Sequence, residues 1–98
     1  MIRHIVFFSV KDKADLQTVL DGLRLLCSIP VRGKVEISEN LHTDALSDDV
    51  DIVVYGEFDD QAALDAYKAH RIYQDSIDIV RPLRELRIAA DVMATAQS

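Results

Sequence analysis

The first stretch of the chain alternates so that almost nothing polar is left on either side. From Ile2 to Val10 the residues Ile2, His4, Val6, Phe8 and Val10 share one face, Ile5 and Phe7 share the other, and β-branched and aromatic side chains dominate. Apolarity on both faces predicts a central strand in a sheet that is covered on both sides. The period then changes. Asp12 stands where it can cap a helix, Asp15 suits the positive end, and Leu16, Val19, Leu20, Leu23, Leu26 and Cys27 recur at helical spacing until Pro30. Gly22 inside this pattern costs about 1 kcal/mol relative to alanine, and its missing side chain suits a helix pressed close to the sheet. Beyond Gly33 a period of two returns, with Val35, Ile37 and Leu41 set against Lys34, Glu36, Ser38 and Asn40, the pattern of an edge strand. Thr43 to Asp49 is a polar loop, and Ile52, Val53, Val54, Tyr55 and Phe58 make a second central strand across Gly56.

Asp59 or Asp60 then caps a second helix that runs to about His70. Tyr67, His70 and Tyr73 follow at helical spacing above Ala63 and Leu64, so these side chains form one stripe facing a core or a pocket. A further helical segment from Ile72 buries Ile77 and Val80 and ends near Pro82. Leu86, Ile88, Ala90 and Val92 alternate as a last strand, and the tail ATAQS is expected to fray. The order βαββαβ is that of a ferredoxin-like α+β sandwich, with one antiparallel four-stranded sheet and its helices on one face. Right-handed crossovers leave the opposite face, apolar in the first and third strands, without cover from its own chain. The expected cover is a second copy, in a homodimer through the uncovered sheet face.

Size and charge narrow the classes. At 98 residues the chain is expected to form a single domain over 1–98, and a composition 49% hydrophobic and 29% charged is globular rather than disordered. No apolar run approaches the roughly 20 residues that cross a bilayer, so a soluble protein with no membrane partner is expected. Acidic residues outnumber basic ones by 17 to 11, for a net charge of -6, with no basic stripe, which excludes nucleic acid as a partner. Cys27 is the only cysteine and the N-terminus reads as a strand rather than a leader, so a cytoplasmic location is expected. On the apolar side of its predicted helix, Cys27 is read as a small core residue rather than a reactive thiol.

The chain resembles the stress-responsive α/β-barrel (Dabb) domain family, a dimeric ferredoxin-like group, over nearly its whole length. The resemblance rests on His4-Ile5-Val6 followed by Phe8, on Phe58-Asp59 leading through Ala63-Leu64 to Tyr67 and His70, and on Arg81-Pro82-Leu83 before the closing strand. It implies a dimeric α/β barrel in which two sheets face each other around an interior that can hold a small apolar ligand. Some relatives are polyketide cyclases or aromatic-degrading enzymes, and others are stress-induced proteins. The family usually carries His-Pro and then a second histidine three residues after the first. Here Arg71 replaces the proline and Tyr73 the second histidine, which in cyclase-like relatives transfers the proton beside the helix tyrosine. The resemblance therefore implies a stress-responsive barrel protein that binds a small apolar, phenolic or aromatic ligand in the barrel cavity. The alternative is a cofactor-free lyase, cyclase or isomerase acting on a small aromatic or polyketide compound.

His4, Tyr67 and His70 are the candidate catalytic residues, and His4, Val6, Phe8, Tyr67, His70 and Tyr73 the candidate ligand contacts. His4 is either a satisfied core histidine or a proton carrier, since imidazole titrates near neutrality. His70 can cap a helix end as readily as serve a site. Tyr67 and Tyr73 can pack, or donate to a ligand oxygen. His4, His42 and His70 lie on separate elements without metal-site spacing, no cofactor motif is present, and Ser9 and Ser28 have no neighbouring base. Asp48, Asp49 and Asp51 read as a solvated turn.

Overall fold

The computed structural model describes residues 1–95, so residues 96–98 of the tail expected to fray lie outside the described residues. At Ala94 the tail is still tied, its N–H donating to the Met1 carbonyl at 2.9 Å. The elements are β1 (Ile2–Val10), a 3₁₀ turn (Lys13–Asp15), α1 (Leu16–Arg24), a second 3₁₀ turn (Leu25–Ser28), β2 (Gly33–Glu39), β3 (Ile52–Phe58), α2 (Gln61–Ala69), α3 (Arg71–Val80) and β4 (Arg84–Met93). The strands lie in the order β2-β3-β1-β4 and every neighbouring pair is antiparallel, which is the ferredoxin-like α+β arrangement. No helix among the described residues is long and apolar enough to cross a membrane.

Local chemistry sets the boundaries. Asp12 accepts from the Ala14 N–H and starts the turn into α1, and Asp60, rather than Asp59, accepts from the Ala63 N–H at 2.8 Å to cap α2. His70 adopts an extended backbone (φ -69°, ψ 144°), which stops α2, and its ring accepts from the Ile72 N–H at 3.1 Å, which starts α3. One residue thus splits a single apolar stripe between two helices.

The core lies between the helices and one face of the sheet. Ile2, Val6, Phe8, Ile52, Val54 and Phe58 from the strands meet Val19, Leu20, Leu23, Leu64, Tyr67 and Val80 from the helices, all buried. The opposite face carries Ile5, Phe7, Val53, Tyr55, Ile88, Ala90 and Val92, as the registers Phe7↔Val53, Phe7↔Ile88 and Ile5↔Ala90 require. Phe7, Ile88 and Val92 are exposed there.

Four expectations are corrected. Cys27 is exposed, because α1 ends at Arg24 and the tighter 3₁₀ turn rotates the following residues off the 3.6-residue stripe, leaving Leu26 and Ile29 as the inward ones. Leu41 is 84% exposed, since β2 stops at Glu39 before the alternation reaches it. Gly22 faces α3 and not the sheet: a Cβ there would lie 2.8 Å from Ile79 Cγ2. Asp51 is no solvated turn residue, being only 4% exposed. It accepts from the Val10 N–H at 2.9 Å and pairs with Lys13, which anchors the end of β1 to the loop before β3.

Candidate functional site

A cavity of about 30 Å³ lies between the covered face of the sheet and the helices, with His4, Val6, Phe8, Tyr67 and Tyr73 in its wall. Five of the six sequence-predicted contacts therefore converge. His70 is the exception, because its ring is occupied as the N-cap of α3. The location also differs from the one the resemblance implied. These residues gather under the chain's own helices, whereas a barrel between two sheets would form on the opposite face, where Ile5 and Phe7 point. The parity of β1 decides this: even-numbered positions turn toward the helices.

Behind the cavity wall, Phe58 backs the rings of His4 and Tyr67, and its place depends on a glycine. Gly56 lies opposite His4 in the β1–β3 register, and a Cβ there would come within 2.6 Å of Phe58 Cε2. The Phe58 ring takes that space, 4.9 Å from the Tyr67 ring and 6.3 Å from the His4 ring. Tyr73 closes the series edge-on to Tyr67, with centroids 5.2 Å apart. Such tilted and edge-to-face pairs add to the burial energy and fix the ring orientations.

His4 is the polar group set into this apolar face, at 2% exposure. Its Nδ1 pairs with Asp91, its neighbour across the β1–β4 register. The carboxylate accepts from Nδ1–H and thereby fixes the tautomer that leaves a lone pair on Nε2. Burial lowers the pKa of His4 below its ordinary value; Asp91 opposes that shift, and Lys68 and Arg87 assist it. The outcome is a neutral imidazole, oriented by a carboxylate, in the wall of a cavity. Asp91 was missed in the sequence. The signal was the alternation of β4, which puts Asp91 opposite Ile88, Ala90 and Val92, but only the register with β1 brings it to His4.

Tyr67 is 1% exposed as a residue and its hydroxyl makes no hydrogen bond among the described residues, but that oxygen is not itself sealed off; the buried side-chain atom without a partner among them is Nε of Arg3. Burial, followed by Tyr73 and Cys27, raises its pKa far above the ordinary value, so the phenol is a hydrogen-bond donor and not a base. Tyr73 stands half-buried beside it at the outer edge of the cavity. No cluster of three or more His, Cys, Asp or Glu side chains suited to a metal ion occurs among the described residues. The arrangement can hold a ring against aromatic walls, donate from Tyr67 and accept at His4.

Residues 2–94 match the family model described as Stress responsive A/B Barrel Domain. Similar solved structures include a dimeric ferredoxin-like protein of unknown function from Thermobifida fusca, 24% identical, with a TM-score of 0.79 over 95% of this chain and 90% of that one. A Dabb family protein with a ferredoxin-like fold from Mesorhizobium loti is 23% identical, with a TM-score of 0.78 over 97% of each chain. A Nitrosomonas europaea protein proposed to be an antibiotic biosynthesis monooxygenase is 18% identical, with a TM-score of 0.78 over 98% of this chain and all of that one. At these identities the likeness concerns the fold. No curated protein matches the chain.

Proposed function

The chain belongs to the stress responsive A/B barrel domain family, and from that membership and the cavity beneath its helices we propose a homodimeric protein that binds a small apolar or phenolic ligand. The observation that carries the ligand reading is the convergence of two polar groups, His4 and the unpartnered Tyr67 hydroxyl, on one aromatic-walled cavity. A ligand hydroxyl there could donate to the free Nε2 lone pair of His4 and accept from the Tyr67 hydroxyl, two hydrogen bonds that would orient a ring in the cavity. At about 30 Å³ the cavity has room for about two water molecules, well below the roughly 150 Å³ that accepts benzene. Binding therefore requires an outward swing of Tyr73 and Ile77, the half-buried residues of α3 that close it.

The dimer reading is supported by β4, whose apolar row points away from the core of its own chain. Ile88 is 55% and Val92 45% exposed, beside Phe7 and Ile5 on the open face. An edge strand with its charged residues turned inward and its apolar ones outward suits a sheet that meets another sheet. A cytoplasmic location stays part of the reading, on the strength of the lone free thiol.

His4 and Asp91 favour one second reading, cofactor-free proton transfer on the bound aromatic compound by a lyase, cyclase or isomerase. A neutral imidazole with an orienting carboxylate is a competent base near neutral pH.

Titration of wild type and Tyr67→Phe with a panel of phenols, read by amide NMR shifts and calorimetry, tests the ligand reading. At least one phenol should bind the wild type and lose about tenfold in affinity in Tyr67→Phe, the size expected for one hydrogen bond. A panel with no binder contradicts the proposal. For the second reading, with 4-hydroxyacetophenone as the probe, solvent deuterium should enter the methyl group α to its carbonyl faster in the wild type than in His4→Gln.

A further inference from the structure

The cavity has a basic mouth in a protein of net charge -6, and the basic residues are put there by an irregularity in the sheet. Phe8 pairs with Arg87 and Val10 with Arg84, so β4 spends one more residue than β1 over this step. Three residues apart on a regular strand, Arg84 and Arg87 would point to opposite faces; the bulge turns both toward the helices, where both line the cavity. Ser9 holds the bulge in place, its hydroxyl accepting from the Leu86 N–H at 3.0 Å. Bulges beside binding sites commonly re-aim side chains in this way.

Neither guanidinium pairs with a carboxylate within 4.0 Å among the described residues, although Arg24 and Arg32 elsewhere on the surface do. Arg84 is half-buried, and its pKa is lowered first by that burial and then by Arg87 and Arg81, the signature of gathered like charge without a counter-ion. Two cations facing one opening cost self-repulsion that a bound anion would remove. The planar forks of arginine match a carboxylate in paired hydrogen bonds.

We propose that the ligand of this cavity is a small aromatic carboxylate, its ring seated among Phe8, Tyr67 and Tyr73 and its acid group held at the mouth by Arg84 and Arg87. This rests on the ligand reading above and adds the charge of the occupant. The bulge is then a recognition device: it selects acids over neutral phenols of the same shape. Arginine forks grip phosphates in the same paired way, but a carboxylate is smaller and coplanar with its ring, the better fit to a cavity of about 30 Å³.

Calorimetry with 4-hydroxybenzoate and its neutral amide, 4-hydroxybenzamide, tests the proposal on wild type, Arg84→Gln, Arg87→Gln and the double variant. In the wild type the acid should bind at least about tenfold tighter than the amide, as a charge-assisted pair requires, and the preference should fall with added salt. In the double variant the preference should vanish because the acid loses far more affinity than the amide. Amide binding also reports that a variant is folded, and the wild-type comparison stands without any variant. Equal binding of acid and amide by the wild type overturns the anion inference and leaves the cavity reading intact. A preference that survives in the double variant also overturns it, as does acetate or inorganic phosphate binding as tightly as 4-hydroxybenzoate. If neither ring compound binds while another phenol of the panel does, the acid inference falls and the ligand reading stands; if no phenol binds, both fall.

Discussion

The two faces of the sheet are built from the same strands and nearly the same residue types, yet only one is covered by the chain's own helices. On the covered face Ile2, Val6, Phe8, Ile52, Val54 and Phe58 are sealed by the helices, and a single histidine with its carboxylate is set among them. On the open face Ile5, Phe7, Val53, Ile88 and Val92 stand as a patch without such a buried dyad, bordered by Arg3, Glu57 and Lys34. Apolarity marks both faces and so distinguishes neither. What separates them is the polar group each one tolerates: a neutral, oriented imidazole inside, and ordinary rim charges outside. In the function proposed above, the ligand belongs to the first face and association to the second.

Damage to the covered face should have the largest effect. Phe58 is fully buried and touches both the Tyr67 and His4 rings, so Phe58→Ala should cost about 3–5 kcal/mol in urea unfolding, the range for deleting a buried aromatic ring. A loss under 1 kcal/mol would mean that Phe58 and the rings it backs are not a packed unit. On the open face the reverse is expected. Phe7→Asp should weaken self-association by about 2 kcal/mol or more, as for a central interface residue, while the helical signal stays intact. Sedimentation should then give an 11.0 kDa species in place of a particle of twice that mass. A wild type that sediments as the 11.0 kDa chain at micromolar concentration would remove the association role altogether.

The smallest effect expected is a pH dependence confined to the covered face. The folded-state pKa of His4 is depressed from about 6.5 by burial, with Lys68 on α2 and Arg87 on β4 assisting and Asp91 on β4 opposing. The unfolded chain therefore binds a proton first as the pH falls. Stability from this group is complete above about 6.5 and is lost on acidification through the window between that value and the lower folded pKa. His4→Gln should flatten this part of the stability profile measured by thermal unfolding. An unchanged slope would assign the dependence to other groups and weaken the case for a neutral His4.

Much of this contrast could be read along the chain. Alternation of apolar residues located every strand, the 3.6-residue period located the helices, and their order placed both helical layers on one side. Tyr67 and His4 stood out as polar-tipped residues in apolar runs. Three things escaped because they are not periodic. Cys27 left its stripe when the helix tightened into a 3₁₀ turn, and His70 became a cap because its own backbone is extended. Asp91 and the pair Arg84 and Arg87 owe their positions to strand register and to one bulge, which depend on residues about eighty positions away in β1. The side of the sheet that holds the candidate ligand site was likewise a matter of strand parity relative to the helices, which the alternation alone leaves open.

The most direct test of the division between faces is to locate a bound ring. Intermolecular NOEs from the ring protons of 4-hydroxybenzoate, recorded on methyl-labelled protein, should reach Val6, Leu23, Leu26, Val54, Ile77 and Val80, the aliphatic residues of the cavity wall. NOEs to Ile5, Ile88 and Val92 instead would put the ligand on the open face and contradict the account.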